Sequence, residues 1–295
     1  MKKLLLLSLA LIATNVAWSE IIVTDFIGRE VKLQKPAQRV VALAPHIVEN
    51  MFTAGAGDRL VGAVDYSDYP EAAKAIPRIG LSNSFSLEAI VALAPDLVVT
   101  WHSGRGTLAL EKLASVGITV YASNPKTLDD IPKAIRDYGA LTGNDQTANA
   151  AATSYEIKLS GLAARYQTTE TINVLYQIWN NPIQTINSKH IISHVIQLCG
   201  GINAFGESPA LAPKLSIESV IAENPDVIIA SGMGEEQPEW LQAWEPWRTI
   251  NAVKNKSLYF IPPDIIQRHT VRLLDGASQM CGHLEHARQQ ISKNY

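Results

Sequence analysis

Charge is scarce in this chain and never bunched. Asp, Glu, Lys and Arg make up 18% of its 295 residues, the net charge is −3, and no basic block occurs. Phosphate backbones need clustered Lys and Arg, so nucleic acid is excluded as a main partner. Catalytic signatures are missing too. There is no G-x-S-x-G elbow, no phosphate loop, no G-x-G-x-x-G and no H-E-x-x-H helix, and their absence points to a binder rather than an enzyme. No segment beyond the first twenty residues is apolar for long enough to cross a bilayer as a helix. Cysteine is almost absent, with only Cys199 and Cys281. What is abundant is apolar side chain, 47% of the chain, enough at this length for two core-bearing units.

The N-terminus has the pattern of a secretory leader. Lys2 and Lys3 precede an apolar run from Leu4 to Ala13, and Ala17-Trp18-Ser19 puts small residues at −3 and −1 of a cleavage site. Residues 1–19 are read as a signal peptide, and the run is too short to span a membrane. No cysteine follows it, so a lipid anchor is not expected. In the oxidising compartment that a leader implies, Cys199 and Cys281 are expected to pair, with two buried free thiols as the alternative.

Along the mature chain, strand-like and helix-like segments alternate. "IIVTDFIGREVKL" reads as a hairpin, "RVVALAP" (39–45) as a buried strand, "HIVENMFTAGAG" as a helix and "RLVGAVD" as a strand. The same rhythm returns after residues 144–166, which hold no proline and read as one long helix. The expected fold class is α/β: two Rossmann-like lobes, 20–143 and 168–295, joined by a single linking helix over 144–167. One helical crossing is stiff, so little lobe closure is expected.

An internal repeat supports that division. "SLEAIVALAPDLVVT" (86–100) recurs as "SIESVIAENPDVIIA" (216–230). In each copy a serine caps a short helix, a glutamate sits in its first turn, Pro-Asp turns the chain and a strand follows. Glu88 and Glu218 are thereby kept in step. Taken alone, that placement also suits carboxylates that merely complement a helix dipole.

Among the histidines, His190 and His194 stand four apart on an expected helix and could share a metal, although no carboxylate or cysteine lies in phase with them. His283 and His286 read as solvated on the last helix. His46 follows the first strand and His269 the last, positions where α/β folds place ligand contacts; both also suit plain surface loops. Tyr66 and Tyr69 in "DYSDYP", Trp101 at the end of "DLVVTW" and Trp179 at the end of "NVLYQIW" all fall at strand C-termini. If both sheets turn those ends to a cleft, aromatic walls would suit a large planar or amphipathic guest. Trp240, Trp244 and Trp247 follow helical spacing and read as staples of a helix to its lobe.

The leader, "RVVALAP", "VDYSDYP", the "SLEAIVALAPDLVV" unit, the linking helix and "CGGINAF" together resemble the helical-backbone (class III) periplasmic binding proteins of ABC importers. The resemblance runs from about Arg39 to the end and is greatest to the cobalamin-binding branch. It implies a monomeric carrier with no cofactor of its own. It further implies that Tyr66, Trp101, Asp264 and Arg268 contact the corrinoid, and that Glu88 and Glu218 dock into arginine pockets on the two permease subunits. Three tryptophan or phenylalanine positions of the branch are here Ser82, Ala212 and Gln184; Trp179 and His46 are the candidates to replace them, with His46 able to approach the metal. The same architecture binding haem through His46 or Tyr66, or a ferric siderophore through Arg105, Arg268 and Arg272, stays open. A secreted α/β hydrolase using Ser82 or Ser84 with His46 is the reading from another class.

Overall fold

The computed structural model describes residues 20–102, 106–166, 170–232 and 239–293; the expected leader 1–19 and Arg105 lie outside them. The chain opens with the antiparallel hairpin β1 (Ile21–Thr24) and β2 (Glu30–Leu33). Then come β3 (Val40–Ala42), α1 (Pro45–Thr53), β4 (Leu60–Ala63) and a small hairpin of β5 (Gly80–Leu81) and β6 (Ser84–Phe85). They are followed by α2 (Leu87–Ala92), β7 (Leu97–Trp101), α3 (Gly106–Ser115), β8 (Val120–Ser123) and α4 (Asp130–Thr142). The long helix α5 (Asp145–Tyr166) leads to β9 (Ile172–Gln177), α6 (Ile191–Leu198), β10 (Gly201–Asn203), α7 (Ile217–Glu223) and β11 (Val227–Ala230). The chain ends with α8 (Asn251–Lys254), β12 (Leu258–Phe260), α9 (Pro263–Ile266) and α10 (Leu273–Lys293).

The strands form two four-stranded sheets, ordered β4-β3-β7-β8 and β10-β9-β11-β12, with every neighbouring pair parallel. The second order reproduces the first strand for strand. The α/β class with two Rossmann-like lobes and one long helix between them is therefore what the alternation indicated.

The repeat owes its constancy to matching hydrogen bonds. Ser86 Oγ accepts from Ala89 N at 3.1 Å, and Ser216 Oγ accepts from Ser219 N at 3.2 Å, so both short helices are N-capped alike. Both end on a left-handed residue, Ala94 (φ 44°) and Asn224 (φ 46°). The aspartate of each Pro-Asp then pins the start of the first strand of its parallel sheet, β3 or β9. Asp96 Oδ2 accepts from the backbone N–H of Gln38 and Arg39 (2.7 and 3.1 Å), and Asp226 Oδ2 accepts from that of Asn173 (3.1 Å).

Strand residues alternate between two faces, and the two faces have different fates. Val40, Ala42, Leu97 and Val99 of the first sheet share one apolar cluster with Val174, Tyr176, Val227 and Ile229 of the second. Ala148, Ala152 and Tyr155 of α5 and Met280 and Leu284 of α10 belong to the same cluster. The opposite faces stay separate: Val41, Val98 and Ile90 form one cluster, Leu175, Ile228 and Val220 another. Helices α4 and α5 approach closely at Gly139, where a Cβ would come within 2.3 Å of Ala148 Cβ. The expected disulfide joins Cys199, at the end of α6, to Cys281 in α10 across 82 residues. On chain entropy a loop of that size contributes about 4–5 kcal/mol.

Between the lobes lies an ionic seam. Glu49 in α1 has a side chain only 2% exposed. It accepts from Arg268 Nη1 (2.8 Å) and from Arg272 Nε and Nη2 (3.0 and 2.8 Å). Arg268 also meets Asp68 (3.0 Å) and Asp264 (2.9 Å). The Arg272 guanidinium lies 3.8 Å from the Tyr69 ring centroid, and Asn50 Nδ2 donates to the His269 carbonyl at 2.9 Å. A carboxylate this deep is tolerated because two cations and three hydrogen bonds compensate its lost hydration. Glu49→Gln is expected to cost about 2–4 kcal/mol in urea denaturation, below the fully buried limit because both guanidinium groups keep some water contact. A loss under about 0.5 kcal/mol, the range of an ordinary surface change, would refute this role.

Candidate functional site

The C-terminal ends of both sheets open on one cleft of about 990 Å³, the place where parallel sheets gather ligand contacts. The first lobe contributes Trp101, the last residue of β7, with His102 and the turn Asn124–Lys126 after β8. Trp101 is held in register with Ser123 of β8, and His102 N donates to the Ser123 carbonyl at 2.8 Å. The second lobe contributes Ile178, Trp179 and Gln184 after β9, the residues opening α6, and Leu211. Gln267 and His269 complete the floor.

Trp179 is not the strand end that its sequence context suggests. Strand β9 stops at Gln177, and Trp179 sits on a small antiparallel turn closed by Gln184 N donating to the Trp179 carbonyl (3.1 Å). Its ring is 40% exposed and is backed by Trp240 at 5.9 Å. Trp240 in turn covers Gly232, whose added Cβ would lie 2.3 Å from the indole. The three tryptophans at 240–247 therefore do not act alike, and of them Trp244 staples a short 3-10 helix to its lobe as expected. Trp240 buttresses the cleft wall, Trp244 is buried in a 3-10 turn with Nε1 donating to Gln177 Oε1 (2.9 Å), and Trp247 is 37% exposed.

Beneath the walls is a floor of imidazoles. His46 lies in the first turn of α1 and is 6% exposed, so it is neither a surface-loop residue nor part of the cleft lining. Its ring packs edge-on to Trp101 at 5.1 Å and meets His269 at 5.6 Å. His190 reaches His269 at 6.4 Å from the other side. It is the N-cap of α6, its Nδ1 accepting from Ile192 N at 3.2 Å, rather than a helix-face partner of His194. His46 and His190 thus each open the helix that follows their lobe's first strand, a likeness visible in "HIV" (46–48) and "HII" (190–192). No cluster of three or more His, Cys, Asp or Glu able to hold a metal occurs among the described residues.

Burial keeps these imidazoles neutral. It lowers His46 well below the ordinary histidine value, with His269 and Arg268 adding repulsion. It brings His190 and His269 to about 4, with His194 and His190 respectively as secondary causes. His46 Nε2, His269 Nδ1, His102 Nδ1 and Trp101 Nε1 are buried with no protein partner.

Other expected contacts fall elsewhere. Arg268 and Asp264 belong to the ionic seam and are absent from the cleft lining, as is Tyr66. Tyr66 is 73% exposed and has left-handed backbone (φ 63°). Its loop is held by Arg78, whose Nη2 donates to the Ser67 carbonyl at 2.6 Å and whose Nη1 donates to that of Ile76 at 3.0 Å. Gln184 does line the cleft, and Leu211 stands there beside the substituted Ala212. Ser82 and Ser84 are exposed on the β5–β6 hairpin while His46 is buried against Trp101 and His269, so the hydrolase pairing gains no contact. His283 is half-buried where it was read as solvated, its ring stacked on Tyr259 at 4.4 Å. Lys126, Lys189, His190 and Leu211 line the cleft without having been singled out from sequence as its walls.

Glu88 and Glu218 are both exposed in the first turns of α2 and α7. Each carboxyl is held below its usual range by its own backbone N–H and then by the capping serine. Because these helices run back toward the strand starts, their N-termini lie at the same ends of the sheets as the cleft.

A family model described as periplasmic binding protein matches residues 40–265. The vitamin B12-binding protein of Vibrio cholerae is 35% identical over 255 residues, 86% of this chain and 92% of that protein. The one from Pectobacterium carotovorum is 31% identical over 249 residues, 84% of this chain and 88% of its own. Among solved structures, the periplasmic vitamin B12 binding protein of Vibrio cholerae superposes with a TM-score of 0.79 at 35% identity, covering 86% of this chain and 98% of that one. A periplasmic heme-binding protein from Roseiflexus superposes at 0.74 with 22% identity, covering 85% and 99%; at that identity the likeness concerns the fold alone.

The neutral floor carries a pH signature. An unfolded histidine titrates near 6.5, whereas folded His190 and His269 titrate near 4. Between those values the unfolded chain binds more protons, so stability falls as pH drops from 6.5 toward 4. The double variant His190→Gln, His269→Gln is expected to lose less stability than the parent between about pH 7 and about pH 4.5 in urea titrations. Equal losses in the two proteins would show that other groups set the slope.

Proposed function

The chain belongs to the periplasmic binding protein family, and from that premise we propose that it captures a corrinoid, cobalamin foremost, in its interlobe cleft and delivers it to an ABC importer. The observation that carries the reading is the cleft itself: about 990 Å³, with Trp101 from one lobe and Trp179 from the other. A space of that size, with one tryptophan from each lobe and polar side chains set between apolar surfaces, suits a large macrocycle held by shape, ring contact and hydrogen bonds. The relatives that share about a third of its residues are named for vitamin B12 binding. The cleft asks for no covalent step, and its walls are fixed by the seam and the shared core, so little ordering is left to be done on binding.

The residue roles follow from burial. Trp101 and Trp179 touch the guest. Tyr66, strained and held out into solvent, extends that surface along the rim, since backbone strain of this kind persists where a contact needs it. His46 stands behind Trp101 and sets its ring. Arg268 fastens the lobes that flank the guest through Glu49, and Asp264 steadies its guanidinium from the same lobe. In the same reading, residues 1–19 are a cleaved leader to the periplasm, the lobes are 20–143 and 168–295 about a 144–167 link, and the carrier is a monomer. Glu88 and Glu218 are the two docking tips, matched in cap, exposure and charge to a permease of two-fold symmetry. Charges of this kind steer docking more than they add affinity.

Titration of the purified protein with cyanocobalamin, haemin and a ferric siderophore, followed by tryptophan fluorescence, tests the ligand. Cyanocobalamin is expected to bind most tightly, and Trp101→Ala to weaken it by about tenfold or more. Tighter binding of haemin or of the siderophore would overturn the corrinoid reading. Glu88→Lys with Glu218→Lys is expected to leave cyanocobalamin affinity unchanged and to abolish uptake by cells. A drop in affinity in that double variant would contradict the docking role.

A further inference from the structure

The cleft has a charge that its aromatic walls do not explain. Among the described residues that line it there is no aspartate and no glutamate, yet there are two lysines, Lys126 from the first lobe and Lys189 from the second. Nearby cations are spoken for: Arg268 and Arg272 face Glu49, and Arg268 faces Asp68 and Asp264 as well. Neither lysine ammonium has a carboxylate partner among the described residues.

The chain beneath each lysine is nevertheless fastened. The backbone N–H groups of Lys126 and Thr127 both donate to Asp130 Oδ2 at 2.8 Å. Lys189 N donates to Asn187 Oδ1 at 3.0 Å. Immediately after Lys189, helix α6 opens with Ile191 and Ile192 in the cleft lining, so the positive end of its dipole adds to the same field. Two anchored stems with free ammonium heads, one on each side of a cleft whose described lining holds no carboxylate, form an electrostatic well for a negative group.

We propose that Lys126 and Lys189 are an anion-recognition pair that engages an oxygen anion carried by the otherwise apolar guest. The inference rests on the corrinoid reading for the source of that anion, the phosphodiester of the nucleotide loop of cobalamin. A porphyrin would present the same chemistry through its carboxylates. The pair sets which corrinoid is preferred: a complete one with its phosphodiester gains from both lysines, and a cobinamide, which lacks that group, does not.

The test compares the parent with Lys126→Gln, Lys189→Gln. Both side chains are exposed, so folding is not at stake, and cobinamide binding serves as the internal control. Cyanocobalamin, cobinamide, haemin and haemin dimethyl ester are titrated at low and high salt. The expected result is that cyanocobalamin affinity falls about tenfold in the double variant while cobinamide affinity holds. Salt weakens cyanocobalamin binding in the parent and has less effect in the variant. Unchanged cyanocobalamin affinity and salt response would overturn the lysine pair and leave the corrinoid reading standing. If haemin alone binds, and loses affinity on either lysine replacement or esterification, the pair stands with a carboxylate source and the corrinoid reading falls. Binding of haemin that ignores both changes, or of no probe at all, overturns both.

Discussion

One buried carboxylate shared between two guanidinium groups holds this molecule in its working shape. Glu49 comes from the first helix of one lobe, Arg268 and Arg272 from the segment that leads into the last helix of the other. Neither lobe alone could bury those groups, since each would leave a bare charge away from water. Joined, they bring His269 between His46 and His190 and so settle the floor on which the walls stand. The ionic seam also uses up the guanidinium charge near the cleft, which leaves the two lysines as its free cations among the described residues.

The duplicated architecture explains why the site is built in pairs. Each sheet ends in the same direction, each first helix opens with a histidine, each lobe supplies one tryptophan and one lysine, and each short capped helix carries an outward glutamate in its first turn. The pairing is not exact. Trp101 closes a strand, while Trp179 rides a turn braced by Trp240. The scaffold repeats because its hydrogen bonds repeat, down to Asp96 and Asp226 pinning the first strands; the walls diverge because a guest need not be symmetric.

Much of the fold was legible because its determinants are local. Alternation marked the strands, serine caps and Pro-Asp turns marked the repeat, and two cysteines behind a leader-like N-terminus were expected to pair. The site was legible only where local pattern and site coincide, as at Trp101. Residues 49 and 268 are far apart in sequence, so nothing near either shows that they meet, and the ion pair of Arg268 across the lobes went unread. Lys126 and Lys189 are single lysines in polar turns, and only the folded chain shows that they share a cleft with no carboxylate among its described lining residues. Trp179 was misplaced because "NVLYQIW" continues the β pattern past the point where Gln184 turns it aside. The burial of His283 against Tyr259 depends on a strand and a helix whose contact leaves no trace in periodicity.

The inner faces of the two sheets drain into a single apolar mass with the long helices, while only the outer faces remain private to each half. The two halves are therefore obligate partners. Cutting the chain at the rod would strip water-shy strands on both sides, so a lone half would clump or seek a second copy of itself instead of surviving as a miniature carrier.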